Sequence, residues 1–223
     1  MIYKHMKTFK FIVNYWHFIS VFLAGFVGMY AILFTDDTLL RLQLTSLMFI
    51  LLHFFEEFGF PGGFPLMGMK VLMGSTEMDH TKWGANNLNS MFGNWLFCIC
   101  VYVLPIILPG VRFLVLAGMM FNFAEILMHL VLFNARQKTV YNPGLITGVF
   151  GLGPVAVIYF WFSDVFSASM FEWYDWVIAV VWMAAVFLFS FRSKLYWRLG
   201  SKPGYEFTDL SAYGVGDIPS ERK

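Results

Sequence analysis

Charge is scarce in this sequence. Only 13% of its 223 residues are Asp, Glu, Lys or Arg, about half the ~25% usual for a soluble globular domain. With 59% hydrophobic and 20% aromatic residues, an ordinary soluble domain is excluded and the composition is that of a membrane protein. The net charge is +1, so there is no basic field to attract nucleic acid, and none is expected as a partner. Cysteine is scarce too. Cys98 and Cys100 lie two apart inside an apolar stretch, which suits neither a disulfide nor a zinc framework; both read as buried packing residues. The 14 methionines are scattered through apolar stretches and need no copper site to explain them.

What is present is a series of long apolar runs. Six spans of about 20 residues can be marked at 11–34, 39–58, 88–108, 111–133, 144–162 and 173–191. The first follows Lys4, Lys7 and Lys10 but exceeds the ~7–15 residue core of a cleaved signal, so it reads as a retained span. Thr35-Asp36-Asp37 and Pro109-Gly110 are short turns, which makes spans one and two, and three and four, antiparallel pairs. Between Gly59 and Asn87, prolines and glycines interrupt the pattern, and Leu66–Met73 is apolar but too short to cross. It reads as an interfacial or re-entrant piece. The expected fold is therefore all-α: a polytopic membrane helix bundle over residues 1–200 with six transmembrane helices and one short segment. Residues 201–223 read as a mobile polar tail.

The basic residues set an expected orientation. With an even number of spans, one side receives both termini and the loops 59–87 and 134–142. All of the 15 Lys and Arg except Arg41 and Arg112 fall on that side. The positive-inside rule places it in the cytoplasm, so both termini of a multi-pass cell-membrane protein are expected there.

Ionisable residues inside the spans carry the functional signal, because each costs roughly 2.5–3.5 kcal/mol or more to insert. Span two closes on His53-Phe54-Phe55-Glu56-Glu57. Helical periodicity puts Glu56 and Glu57, at i+3 and i+4, on either side of the His53 stripe. Span four carries Gly118, Asn122, Glu125 and His129, whose steps of four, three and four keep one face. His53 and His129 each lie six residues before the end of their helix, ~9 Å along the axis, so the two stripes meet at one depth. Three carboxylates against two imidazoles leave the set one charge short of neutral even with both histidines protonated. A divalent metal would supply that charge, and His with Glu suits zinc, iron or manganese. Buried Glu–His pairs can also serve helix packing alone. His17, Asn86, Asn87, Asn89 and the Asn142-Pro143-Gly144 element read first as core or capping residues. Glu77-Met78-Asp79-His80 offers a second Glu-x-x-His, in a loop. Gly144, Gly148 and Gly151 give span five a small-residue face for close helix approach.

The run HFFEEFGFPGGF at 53–64 resembles the signature of the HXXEE family of multi-span membrane proteins. Asn122, Glu125 and His129, and then Tyr141-Asn142-Pro143-Gly144, are similar to its later elements, so the resemblance spans roughly residues 40 to 160. It implies that these residues form an active site and leaves the reaction open.

The expected function is a metal-dependent membrane enzyme acting on a lipid or other apolar small molecule by hydrolysis or oxidation. His53, Glu56, Glu57, Glu125 and His129 would hold zinc or iron. Glu56 or Glu57 would serve as general base, with Asn122 orienting the substrate. The alternative is an ion, proton or small-solute transporter using the same carboxylates, and a third reading is an accessory protein whose cluster only fixes packing.

Overall fold

Hydrocarbon offers no partner to a backbone N–H or C=O, so a chain this apolar must satisfy them within helices. The computed structural model, which describes residues 2–215, does so: every regular element among the described residues is helical. In chain order these are α1 (Ile2–Asn14), α2 (Trp16–Leu33), α3 (Thr38–Phe58), α4 (Phe64–Val71), α5 (Asn87–Ile107), α6 (Arg112–Gln137), α7 (Leu145–Phe162), α8 (Trp173–Arg192), α9 (Lys194–Gly200) and α10 (Asp209–Tyr213). Among the described residues six helices are long and apolar enough to cross a membrane: α2, α3, α5, α6, α7, and α8 with its continuation α9.

The six helices fall where the apolar runs place them, with three differences, one being that the sixth continues through α9 to Gly200. The first run breaks at Tyr15, so the membrane-length helix starts at Trp16 rather than Phe11. The fourth helix continues past Phe133 to Gln137, because Asn134–Gln137 are good enough helix formers to carry one more turn. The helix starts are capped locally. Asp37 Oδ1 accepts from the Leu40 N–H at 2.6 Å, and Asn86 opens α5 with a reciprocal capping box to Asn89. The apolar segment after Gly59 forms α4.

The central helix is α3, half of whose membrane-length window is buried, against 22% for the α8–α9 helix. It packs along α2 on one side and against α6 and α7 on the other. The glycine face of α7 works as expected: Gly151 lies against the Phe49 ring and Gly148 against the backbone of Glu125. Parts of α5, α6 and α7 are wound as π-helix, including Leu127–Phe133 around His129.

Residues 201–215 of the polar tail are packed onto the end of the bundle. Phe207, Ala212 and Tyr213 are buried, and the Tyr213 hydroxyl donates to the Met78 carbonyl at 2.7 Å. The reason is a dock made by Gly62 and Gly63. Both adopt positive φ, and a Cβ on either would press into the backbone of Leu210 or Tyr213, so only glycine lets α10 come this close. The Gly63 N–H donates to the Ser211 carbonyl at 3.0 Å. Residues 216–223 of the expected tail lie outside the described residues.

Candidate metal centre

Two helices deliver the central group, and each does so by an i, i+4 step. On α3 these are His53 and Glu57; on α6 they are Glu125 and His129. His53, Glu57 and His129 form a group that could hold a metal ion, with one ligand atom from each lying within 4.8 Å of the others. Glu125 closes the figure. His53 Nε2 is 3.4 Å from Glu57 Oε1 and 3.5 Å from Glu125 Oε2. His129 Nε2 is 3.6 Å from the same Glu57 oxygen and 3.3 Å from the same Glu125 oxygen. Nitrogen and oxygen thus alternate around a ring of four edges. Neighbouring ligand atoms at ~2.0–2.2 Å from a metal lie roughly 3–3.6 Å apart, depending on its geometry, and the four edges fall within that range. The two rings stand perpendicular, with centroids 4.8 Å apart.

The outer nitrogens are held by α7 and the loop before it. His129 Nδ1 is 2.6 Å from Asn142 Oδ1. The amide is oriented by its nitrogen, which donates to the His129 carbonyl and to Asn134 Oδ1, each at 2.7 Å. The oxygen left facing the ring can only accept, so His129 Nδ1 carries a proton. His53 Nδ1 is 2.9 Å from Thr147 Oγ1. That hydroxyl has one proton, and Glu56 Oε2 takes it at 2.6 Å, so His53 Nδ1 must donate to Thr147. Both imidazoles thereby carry a proton on Nδ1, with Nε2 turned toward two carboxylates. At this range each Nε2 needs either a proton of its own or a metal cation between it and the carboxylates. With neutral rings, Glu57 and Glu125 leave a charge of −2, which a divalent ion cancels.

Glu56 stands apart from this ring. Its position three residues after His53, not four, turns it toward α7, where it accepts from four donors. Oε1 receives the Tyr141 hydroxyl and the Ile146 N–H, both at 3.1 Å; Oε2 receives the Thr147 N–H at 2.8 Å and the Thr147 hydroxyl. The carboxylate thus satisfies free N–H groups in the first turn of α7, where the helix dipole favours a negative charge. Burial, and then the Glu56 charge beside it, push the Tyr141 phenol above its ordinary range, keeping it a donor. Gly144 permits the assembly. Its φ is +99°, and a Cβ there would run into both the His129 and His53 rings.

The other candidates lie elsewhere. Asn122 is fully buried between Tyr102 and Ser46, accepting from the Tyr102 hydroxyl at 3.0 Å and donating to the Ser46 hydroxyl at 2.9 Å. It is not part of the ring. His17 lies against the Trp16 and Phe18 rings. His80 pairs with Asp209 at 3.0 Å, so the loop Glu-x-x-His braces α10. The Asn86 amide nitrogen donates to the carbonyls of Leu199, Gly200 and Lys202, and Asn87 donates to Glu206. Thr147 was not singled out by the sequence. Its signal was a lone hydroxyl one turn after an Asn-Pro-Gly helix start, too common to be diagnostic.

A cavity of about 180 Å³ adjoins the ring. His53, Glu57, Glu125 and His129 line one side of it, Ser90, Asn94 and Arg192 add polar groups elsewhere, and phenylalanines and methionines from several helices form most of the rest.

Residues 44–159 match the family model described as "Protein of unknown function with HXXEE motif". The chain belongs to this family. Neither a curated protein nor a solved structure matches it. In this member of the HXXEE family the motif divides its work. His53 and the second glutamate, Glu57, face the ring, while the first, Glu56, ties α3 to α7.

Proposed function

We propose that the protein is a metal-dependent membrane enzyme that acts on a lipid or other apolar substrate. The observation that carries this reading is the four-membered ring of His53, Glu57, His129 and Glu125, whose edges have the spacing of metal ligands. Zinc or iron fits the donor set, and with them hydrolysis or oxidation. The bias of Lys and Arg toward the end that holds the ring supports a cytoplasmic position for that end and for both termini.

A divalent ion held there would supply a Lewis acid and, by lowering the pKa of water toward ~7, a nucleophile at neutral pH. The chain's own residues do the rest. Thr147 and Asn142 keep both imidazoles in the tautomer that presents Nε2. Glu125, the least buried of the four at 14% side-chain exposure against 6% for Glu57, also lines the cavity and is the group placed to exchange a proton with substrate. The apolar wall admits the substrate and excludes bulk water, which strengthens every charge interaction within.

A transport pathway would need polar, open space to continue along the bundle. Beyond Glu125 the next polar groups are Asn122, Ser46 and Gln43. They are bonded to neighbouring protein groups, and Ser46 and Gln43 border a gap of only about 10 Å³. This favours the enzyme reading.

The test is metal content. Purified protein is expected to carry about one ion per chain, and Glu57→Ala with His129→Ala to carry none. Sub-stoichiometric metal in the wild type, unchanged in the double variant, would overturn the proposal.

A further inference from the structure

We propose that Arg192 makes the cavity selective for an amphiphile, binding the anionic end of a substrate whose apolar body fills the rest. The inference rests on the reading of the cavity as the substrate site.

Among the cavity's lining residues Arg192 is the one Lys or Arg. It ends α8, where the phenylalanines flanking it, Phe187 and Phe191, are also in the wall. Its guanidinium lies 5.8 Å from the Phe187 ring centroid, a cation–π placement that fixes the head. One N–H donates to the Phe191 carbonyl at 3.1 Å. A guanidinium has five N–H donors in a planar fork, so most remain for a ligand. No carboxylate lies within ion-pair distance of it among the described residues, whereas Arg41 and Arg112 are paired with Asp36 and Asp175. The carboxylates in the cavity wall, Glu57 and Glu125, are engaged with the two histidines. Arg192 is therefore a cation in an apolar cavity with its fork free, the arrangement that binds phosphate or carboxylate in bidentate fashion.

The volume limits the rest of the ligand. An apolar cavity of ~150 Å³ takes a benzene ring, so about 180 Å³ takes a body of roughly seven carbons. Anything longer must leave between the helices toward lipid.

The experiment uses the full chain in zwitterionic nanodiscs, with octyl phosphate, octanoate and octanol as probes of one chain length, and reads ligand affinity from the rise in melting temperature. At least one anion is expected to stabilise the wild type well beyond octanol; the stronger of the two tells phosphate from carboxylate. R192Q should lose about tenfold or more in affinity for that anion with octanol unchanged, and R192K should recover part of it. R198Q, at an exposed arginine on α9 outside the cavity, should bind as wild type. Octanol matching both anions, R192Q binding as wild type, or R198Q losing as much as R192Q would each overturn the inference. Metal content measured on the same samples separates this from the parent reading. Metal present without charge preference sinks only the role of Arg192; charge preference without metal sinks only the metal centre.

Discussion

Thr147 gives Glu56 two bonds to one oxygen, from its backbone N–H at 2.8 Å and its hydroxyl at 2.6 Å, while the same hydroxyl accepts from His53. One side chain thus ties the start of α7 to α3 and sets which nitrogen of His53 faces the ring. Removing the hydroxyl at constant shape separates the two effects. Thr147→Val is expected to keep the fold, since Glu56 retains three of its four donors, but to lose about 10–100-fold in metal affinity, the usual cost of losing a histidine's outer partner. Thr147→Ser should restore most of it. Metal titration beside a thermal melt reads both, and wild-type affinity in the valine variant would sink the tautomer argument.

The two adjacent glutamates are expected to fail in different ways. Glu57→Gln takes a charged oxygen from the ring and should abolish metal binding. Glu56→Gln puts an amide N–H₂ against groups that are themselves donors. It should cost about 1–3 kcal/mol of stability while leaving metal stoichiometry intact at a temperature where the variant is folded. Metal lost equally in both would mean that Glu56 is also a ligand.

Helical periodicity alone could not draw this distinction, because i+3 and i+4 flank a stripe symmetrically; only the position of α7 decides which glutamate goes where. The stripes themselves were legible. Four-residue steps within long apolar runs are local patterns, and they placed His53, Glu57, Glu125 and His129 on facing helices at one depth. What was hidden depends on distant partners. Thr147 meets His53 across 94 residues, and Asn142 looks like a turn residue until the π-wound stretch presents His129 to it. The packing of the tail was hidden for a related reason: its polar composition conceals three anchors, Phe207, Ala212 and Tyr213, whose dock is built by Gly62 and Gly63.

Gly144 offers a steric test. Gly144→Ala forces a side chain into a positive-φ position and into two imidazoles at once. Strain of about 1–3 kcal/mol and loss of metal are expected together. Gly148→Ala, one turn on, is the control. Its Cβ would meet the Glu125 backbone at 3.7 Å and the His129 ring at 4.0 Å, ordinary contacts that should leave both properties near wild type. Equal metal content in the two variants would show that the rings are not wedged against Gly144.

The packed C-terminal segment makes the last case, because a mobile tail and a docked one differ in measurable protection. Tyr213 donates to the Met78 carbonyl at 2.7 Å and accepts the His80 N–H at 3.3 Å, while His80 holds Asp209. The Ala212 N–H is bonded to the Thr208 carbonyl at 2.8 Å and the Gly63 N–H to that of Ser211. Amide exchange at Ala212 and Gly63 should therefore be slow, and slow together, since one dock protects both. Tyr213→Phe removes a hydroxyl that serves two backbone groups. It should cost about 1–3 kcal/mol and speed exchange at both amides, leaving the ring of four intact because none of its members touches this hydroxyl. Phe207 lines the cavity, so a stronger disruption such as Phe207→Ala should weaken binding of an apolar probe without releasing metal. Fast exchange at Ala212 in the wild type would return residues 201–215 to the mobile tail that their composition suggests.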